Sequence, residues 1–110
     1  MVFNNVDWVW QVREDILEPE REIVDPHHHL WPSKDMGYRV PDLLADLTSG
    51  HNVVQTVFME CGAAYRKDGP DHLKPIGETE FVTESAAEMK AKGGPYIAAL
   101  VAHWDLRLPL

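Results

Sequence analysis

Three short apolar runs set the main constraint on how this chain can fold. They are IVDPHHH at 23–29, VVQTVFME at 53–60 and YIAALVAH at 96–103. Each is short and reads as a strand, although Pro26 is awkward in the first because it cannot donate to a ladder. Pairing is therefore expected to break locally there, or the strand to be ending. The stretches between the runs are helical in pattern. PDLLADLTSG at 41–50 opens on Pro41, which suits a first helical position, and closes on Gly50, which suits a cap. TEFVTESAAEMKAK at 79–92 offers Thr79 as N-cap and Gly93–Gly94 as its stop. The second and third runs are almost continuously apolar, as expected of parallel strands covered on both faces. The order βαβαβ places the chain in the α/β class.

Segments outside this frame are connectors. Residues 5–17 have apolar positions near helical spacing, with Val9, Val12, Ile16 and Leu17 flanked by Trp8 and Trp10, and predict an amphipathic helix. Pro19 ends it, and EPERE at 18–22 is a charged connector. The stretch 30–40 is a loop, and Gly62, Gly69 and Pro70 mark a long connection from about 62 to 78. The domain reading is an N-terminal helix with its connector at 1–22, then a strand-bearing unit at 23–110.

Charge and cysteine usage narrow the function classes. The 110 residues carry a formal net charge of −8, with ten Lys and Arg scattered along the chain. That gives no electrostatic footprint for nucleic acid or an anionic membrane. Cys61 is the single cysteine, so no internal disulfide forms, which fits a reducing compartment. The start of the chain has neither the basic opening nor the apolar run of a signal peptide, and no stretch approaches the roughly 18 apolar residues of a membrane helix. A soluble, cytoplasmic protein is the expectation.

Chemistry concentrates in VDPHHHLW. Residues two apart in a strand share a face, so His27 and His29 are expected to project together, above Asp25, with His28 turned away. Two imidazoles so placed can converge on one cation. The same residues also read as a solvated polar loop or a histidine-lined strand end. Two ligands do not complete a catalytic zinc site, which takes about three protein ligands and a water.

Asp25-Pro26-His27-His28-His29 has the form D-x-H-x-H at the end of a first strand, and three further blocks follow in order: VVQTVFMECGAAYRKDGP from Val53, PIGETEFV at 75–82 and IAALVAHWDL at 97–106. Together they resemble the amidohydrolase superfamily of metal-dependent hydrolases, in the branch called amidohydrolase-related or amidohydrolase 2. The resemblance implies a TIM-type (β/α)8 barrel, of which this chain would hold the N-terminal βαβαβ part. It implies one or two divalent metals, often zinc, that activate water to hydrolyse a C–O bond of a lactone or ester, or a C–N bond of an amide, in a small-molecule substrate. By the same resemblance His27 and His29 are the first-strand metal ligands, and the catalytic residues and remaining ligands come from later strands. Such a barrel takes about 250 residues. The chain is therefore expected to be an incomplete fragment, inactive alone, with raw sheet edges that favour association between copies. The rival expectation is a piece with no catalysis that serves as an assembly partner or a small metal-binding module.

Substrate contacts are sought at the strand ends and loops. Glu60 closes the second strand and reads either as a contact to water or substrate or as a structural carboxylate. His103 shares a face with Asp105 at the end of the third strand, either at the site mouth or as a satisfied structural histidine. Tyr65 and Arg66, with Trp31, lie in strand-to-helix loops and read as an aromatic wall and an anion clamp for a carboxylated substrate, against scaffold packing and plain exposure. Cys61 reads as a buried, inert thiol, and His51 and His72 as solvated.

Overall fold

The computed structural model describes residues 5–109. Its elements run α1 (Val6–Val9), β1 (Glu22–His28), α2 (Val40–Leu47), β2 (Asn52–Met59), a 3₁₀ turn (Asp71–Leu73), α3 (Ile76–Ala91) and β3 (Tyr96–Val101). The strands form one sheet in the order β1-β2-β3, and both pairings are parallel. Sequential neighbours joined by helical crossovers are what short α/β connections give.

Local chemistry accounts for the helix ends. Pro41 stands in the first turn of α2, and the Asp42 carboxylate accepts the Arg39 backbone N–H at 2.9 Å. Both devices suit a helix start, where free N–H groups need acceptors. α3 begins three residues before the expected Thr79: the 3₁₀ turn and Pro75 lead straight into the helix, and Thr79 lies inside it. Gly93 follows with a φ of +70°, and its N–H bonds the Lys90 carbonyl at 3.0 Å, which makes it the stop that the sequence predicts.

Phe58 of β2 is fully buried among Val40, Leu43 and Leu47 of α2 and Val82 and Met89 of α3, with Leu30 beside them. Both helices therefore cover the same face of the sheet. The other face presents Val24, Val57, Tyr96, Ala99, Met59 and Val101, and Val24, Tyr96, Ala99 and Val101 are exposed. The expectation of strands covered on both faces is corrected here. An apolar run records that a strand is hydrophobic, not how many layers lie over it.

Two further expectations are corrected. The barrel is not formed: among the described residues there is a three-stranded open sheet with two unpaired edges, so the domain is a small α/β unit with an all-parallel sheet. The N-terminal helix over 5–17 shrinks to the single turn of α1, and residues 12–16 are irregular. Trp8, Val9, Trp10, Val12 and Leu17 are exposed, so their apolar stripe has no surface to pack on. An unpacked helix this short gains too little to offset nucleation. No helix among the described residues is long and apolar enough to cross a membrane.

Candidate functional site at the C-terminal edge of the sheet

The end of β1 is shaped by Pro26. The ladder pairs Asp25 with Thr56 and then His28 with Phe58, so β1 carries one residue more than its partner across this step. Proline supplies no N–H there, and a bulge absorbs the gap. The Asp25 carboxylate accepts the His27 backbone N–H at 3.0 Å and holds the bulge in shape. The extra residue also changes which side chains share a face. Asp25 and His28 both lie on the helix-covered side and line a cleft of about 450 Å³ with His29, Trp31, Tyr38, Leu43, Asp46 and Leu47. Strict alternation expects Asp25 under His27 and His29 with His28 turned away; instead His28 joins Asp25 and His29 in lining this cleft, and His27 is not among its lining residues.

His28 is 8 % exposed and meets the Phe58 ring edge-on at 5.9 Å. Among the described residues neither ring nitrogen has a hydrogen-bond partner. Burial lowers its pKa below 6.5, which keeps the ring neutral.

His27 and His29 meet. Their Nε2 atoms are 3.3 Å apart, and the ring planes stand at 88° with centroids 5.0 Å apart. His29 Nδ1 lies 2.9 Å from the Met59 carbonyl oxygen. A carbonyl only accepts, so Nδ1 carries the proton and Nε2 presents its lone pair. Trp31 flanks this ring at 5.3 Å. Two imidazoles bound tetrahedrally at about 2.0–2.1 Å from one zinc have nitrogens about 3.3 Å apart. The pair therefore fits two positions of a metal site, and the same spacing fits an N–H···N bond donated by His27. No group of three His, Cys, Asp or Glu among the described residues could hold a metal.

Glu60 and His103 meet one strand over. His103 Nδ1 lies 2.8 Å from Glu60 Oε2, and both side chains are partly exposed. Tyr65 sits close enough to feel the charge of Glu60, although burial is the larger cause of its raised pKa. Arg66 is not an open anion clamp: its guanidinium pairs with the Glu80 carboxylate on α3. His51 and His72 are exposed, and His72 lies edge-on to Trp104 at 6.4 Å.

Sequence reasoning passes over Glu78, which organises the loop after β2. It is 3 % exposed, and one carboxylate oxygen accepts the backbone N–H of Cys61 at 3.2 Å and of Ala63 at 2.6 Å. Those bonds hold Ala64 at a φ of +56°, a left-handed conformation that non-glycine residues rarely adopt. Burial, and then the charge of Glu78, raise the Cys61 thiol above its ordinary pKa of 9.0. No local signal marks it: the N–H groups it takes belong to the loop after β2, and the sequence pattern starts the helix only at Thr79.

Comparison with protein-family models, curated proteins and solved structures finds no match to this chain.

Proposed function

We propose that the chain supplies two histidine ligands, His27 and His29, to a divalent-metal site, with zinc the best fit, that hydrolyses the ester, lactone or amide bond of a small molecule. The observation that carries the reading is the 3.3 Å approach of the two Nε2 atoms, with the His29 tautomer set by the Met59 carbonyl. A hydrogen-bond acceptor on the far ring nitrogen is the usual partner of a metal-binding histidine, because it fixes the ring and raises its basicity. The four blocks that resemble amidohydrolases support the hydrolytic part. Bound metal supplies Lewis acidity and lowers the pKa of water towards about 7. His27 and His29 hold and orient. A third ligand comes from outside this pair, because none of the described residues joins it.

The test is zinc calorimetry on the chain and on His27→Ala and His29→Ala. Weak one-to-one binding is expected, with each substitution lowering affinity about tenfold or more, as losing one ligand of a small set does. Binding that ignores both substitutions would place the metal elsewhere. With only two ligands, no steady zinc-dependent turnover of a lactone and ester panel is expected from this chain alone.

The exposed apolar face of the sheet favours a second reading, in which the chain acts as an assembly partner without catalysis. A match between association and this face, with no metal binding, would select it.

A further inference from the structure

The C-terminal edge of a parallel sheet is where open α/β folds place their chemistry. On this edge β1 ends in the His27–His29 pair, β2 runs out into Glu60, and β3 runs out towards His103. We infer that Glu60 and His103 form a general-base dyad that activates water towards a neutral ester or lactone, with Glu60 positioning His103. The substrate class is taken from the hydrolytic reading above, and the dyad itself does not depend on a metal.

The proton inventory gives the dyad its direction. Glu60 ionised can only accept, so the 2.8 Å contact requires the proton on His103 Nδ1. Nε2 is then the basic nitrogen, on the side of the ring away from Glu60. A carboxylate behind an imidazole fixes its tautomer and stabilises the imidazolium that forms when Nε2 takes a proton. Glu60 is itself anchored, because its backbone N–H continues the ladder to the Val101 carbonyl at 3.0 Å. Both side chains are a little over two-fifths exposed, so a substrate reaches them without any rearrangement of the core.

The surroundings select the substrate's charge. The nearest cation the sequence offers as an anion clamp, Arg66, is engaged by Glu80. Glu60 brings a carboxylate, and Tyr65, an ordinary uncharged phenol near neutral pH whose pKa burial raises further, adds no positive charge. A carboxylated substrate meets repulsion without a partner, and a neutral acyl group does not. In the reaction, His103 Nε2 removes a proton from water as its oxygen bonds the acyl carbon. The C–O bond to the alkoxy group then breaks, and that proton passes from Nε2 to the departing oxygen. Ester and water give acid and alcohol, and the dyad returns to its starting state.

The experiment uses the full chain treated with a metal chelator, with p-nitrophenyl acetate as a neutral activated ester and histidine ¹⁵N NMR at mildly alkaline pH. The expected spectrum shows His103 in the Nδ1–H tautomer, with that bias lost in Glu60→Gln. The expected rates fall about a hundredfold or more in His103→Gln, within the range a positioned general base provides, and by a smaller factor in Glu60→Gln. His51→Gln, at an exposed turn, keeps the parent rate. An Nε2–H tautomer in the parent, or parent-like rates in both dyad variants, overturns the proposal. So does ester hydrolysis that disappears on chelation, which would assign the rate to metal. The hydrolytic metal reading fails separately, by zinc calorimetry blind to His27 and His29.

Discussion

A buried imidazole with two unpartnered nitrogens is a cost carried by the seam between β1 and α2. An unsatisfied buried polar group costs about 1–3 kcal/mol, whereas an apolar side chain of similar size costs nothing on that account. His28→Leu is therefore expected to leave the unfolding free energy from urea titration unchanged or raise it, by up to about 1 kcal/mol. Phe58→Ala, by contrast, removes the fully buried ring at the centre of the core and is expected to destabilise by about 3–5 kcal/mol. A large loss on His28→Leu would show that the ring's polarity has a partner in solution. Cys61 gives a second test at the same scale. Its thiol pKa lies above 9.0, so the reactive thiolate is scarce near neutrality and rises with pH through and beyond that value. Alkylation at neutral pH is expected to be slower than for a cysteine peptide. Burial is the larger cause of the raised pKa, but Glu78→Gln removes the charge that adds to it, so it is expected to speed labelling. Labelling of the parent as fast as the peptide would contradict the burial of this thiol.

Elements were legible where a residue type acts alone. Gly93 ends α3 because a left-handed position suits glycine, Pro41 opens α2 because its missing N–H costs nothing there, and Pro26 breaks pairing within β1. What depends on distant partners was not legible. Pro26 predicts a local break in pairing or the end of the strand; that the break takes the form of a bulge and brings His28 into the cleft with Asp25 depends on the partner strand. α1 failed because periodicity reports an apolar stripe without reporting a surface to receive it. In the site, the meeting of His27 and His29 follows from local spacing. The Glu60–His103 bond and the capture of Arg66 by Glu80 join residues far apart in sequence, and only the folded sheet and α3 bring them together. The loop after β2 shows how tight such long-range fits are. A Cβ on Gly77 would stand 2.5 Å from the Arg66 backbone nitrogen and closer still to the Ala64 carbonyl oxygen, and neither is a flexible group. Gly77→Ala is expected to pry the loop from α3 and destabilise by about 2 kcal/mol or more, within the range for overpacking. Hydrogen exchange at Cys61 and Ala63 should accelerate with it, since their N–H groups rest on the neighbouring Glu78. A stable variant with unchanged exchange would mean the loop sits looser than its geometry requires.

At the scale of the whole molecule, the sheet has one face under α2 and α3 and one face open. Val24, Ala99 and Val101 are exposed on the open side around Gln55, with Val57 and Met59 half-buried between them, and among the described residues β1 and β3 are both unpaired at their outer edges. Unpaired edges beside an apolar face invite pairing with another chain. Concentration-dependent self-association is expected in sedimentation velocity, despite the net charge of −8, which opposes it. Salt sorts the two forces: screening weakens charge repulsion and leaves apolar burial intact, so association should strengthen as salt rises. Val24 and Val101 are about half exposed, so burying the rest of each contributes about 0.8 kcal/mol, and Val24→Lys with Val101→Lys should weaken the association constant about tenfold or more at about 1.4 kcal/mol per factor of ten. Both side chains point away from the helix-covered core, so the double variant should keep the parent's urea midpoint as a monomer. A parent that stays monomeric at every concentration, or one whose association ignores the two lysines, would show that this face is not where copies meet.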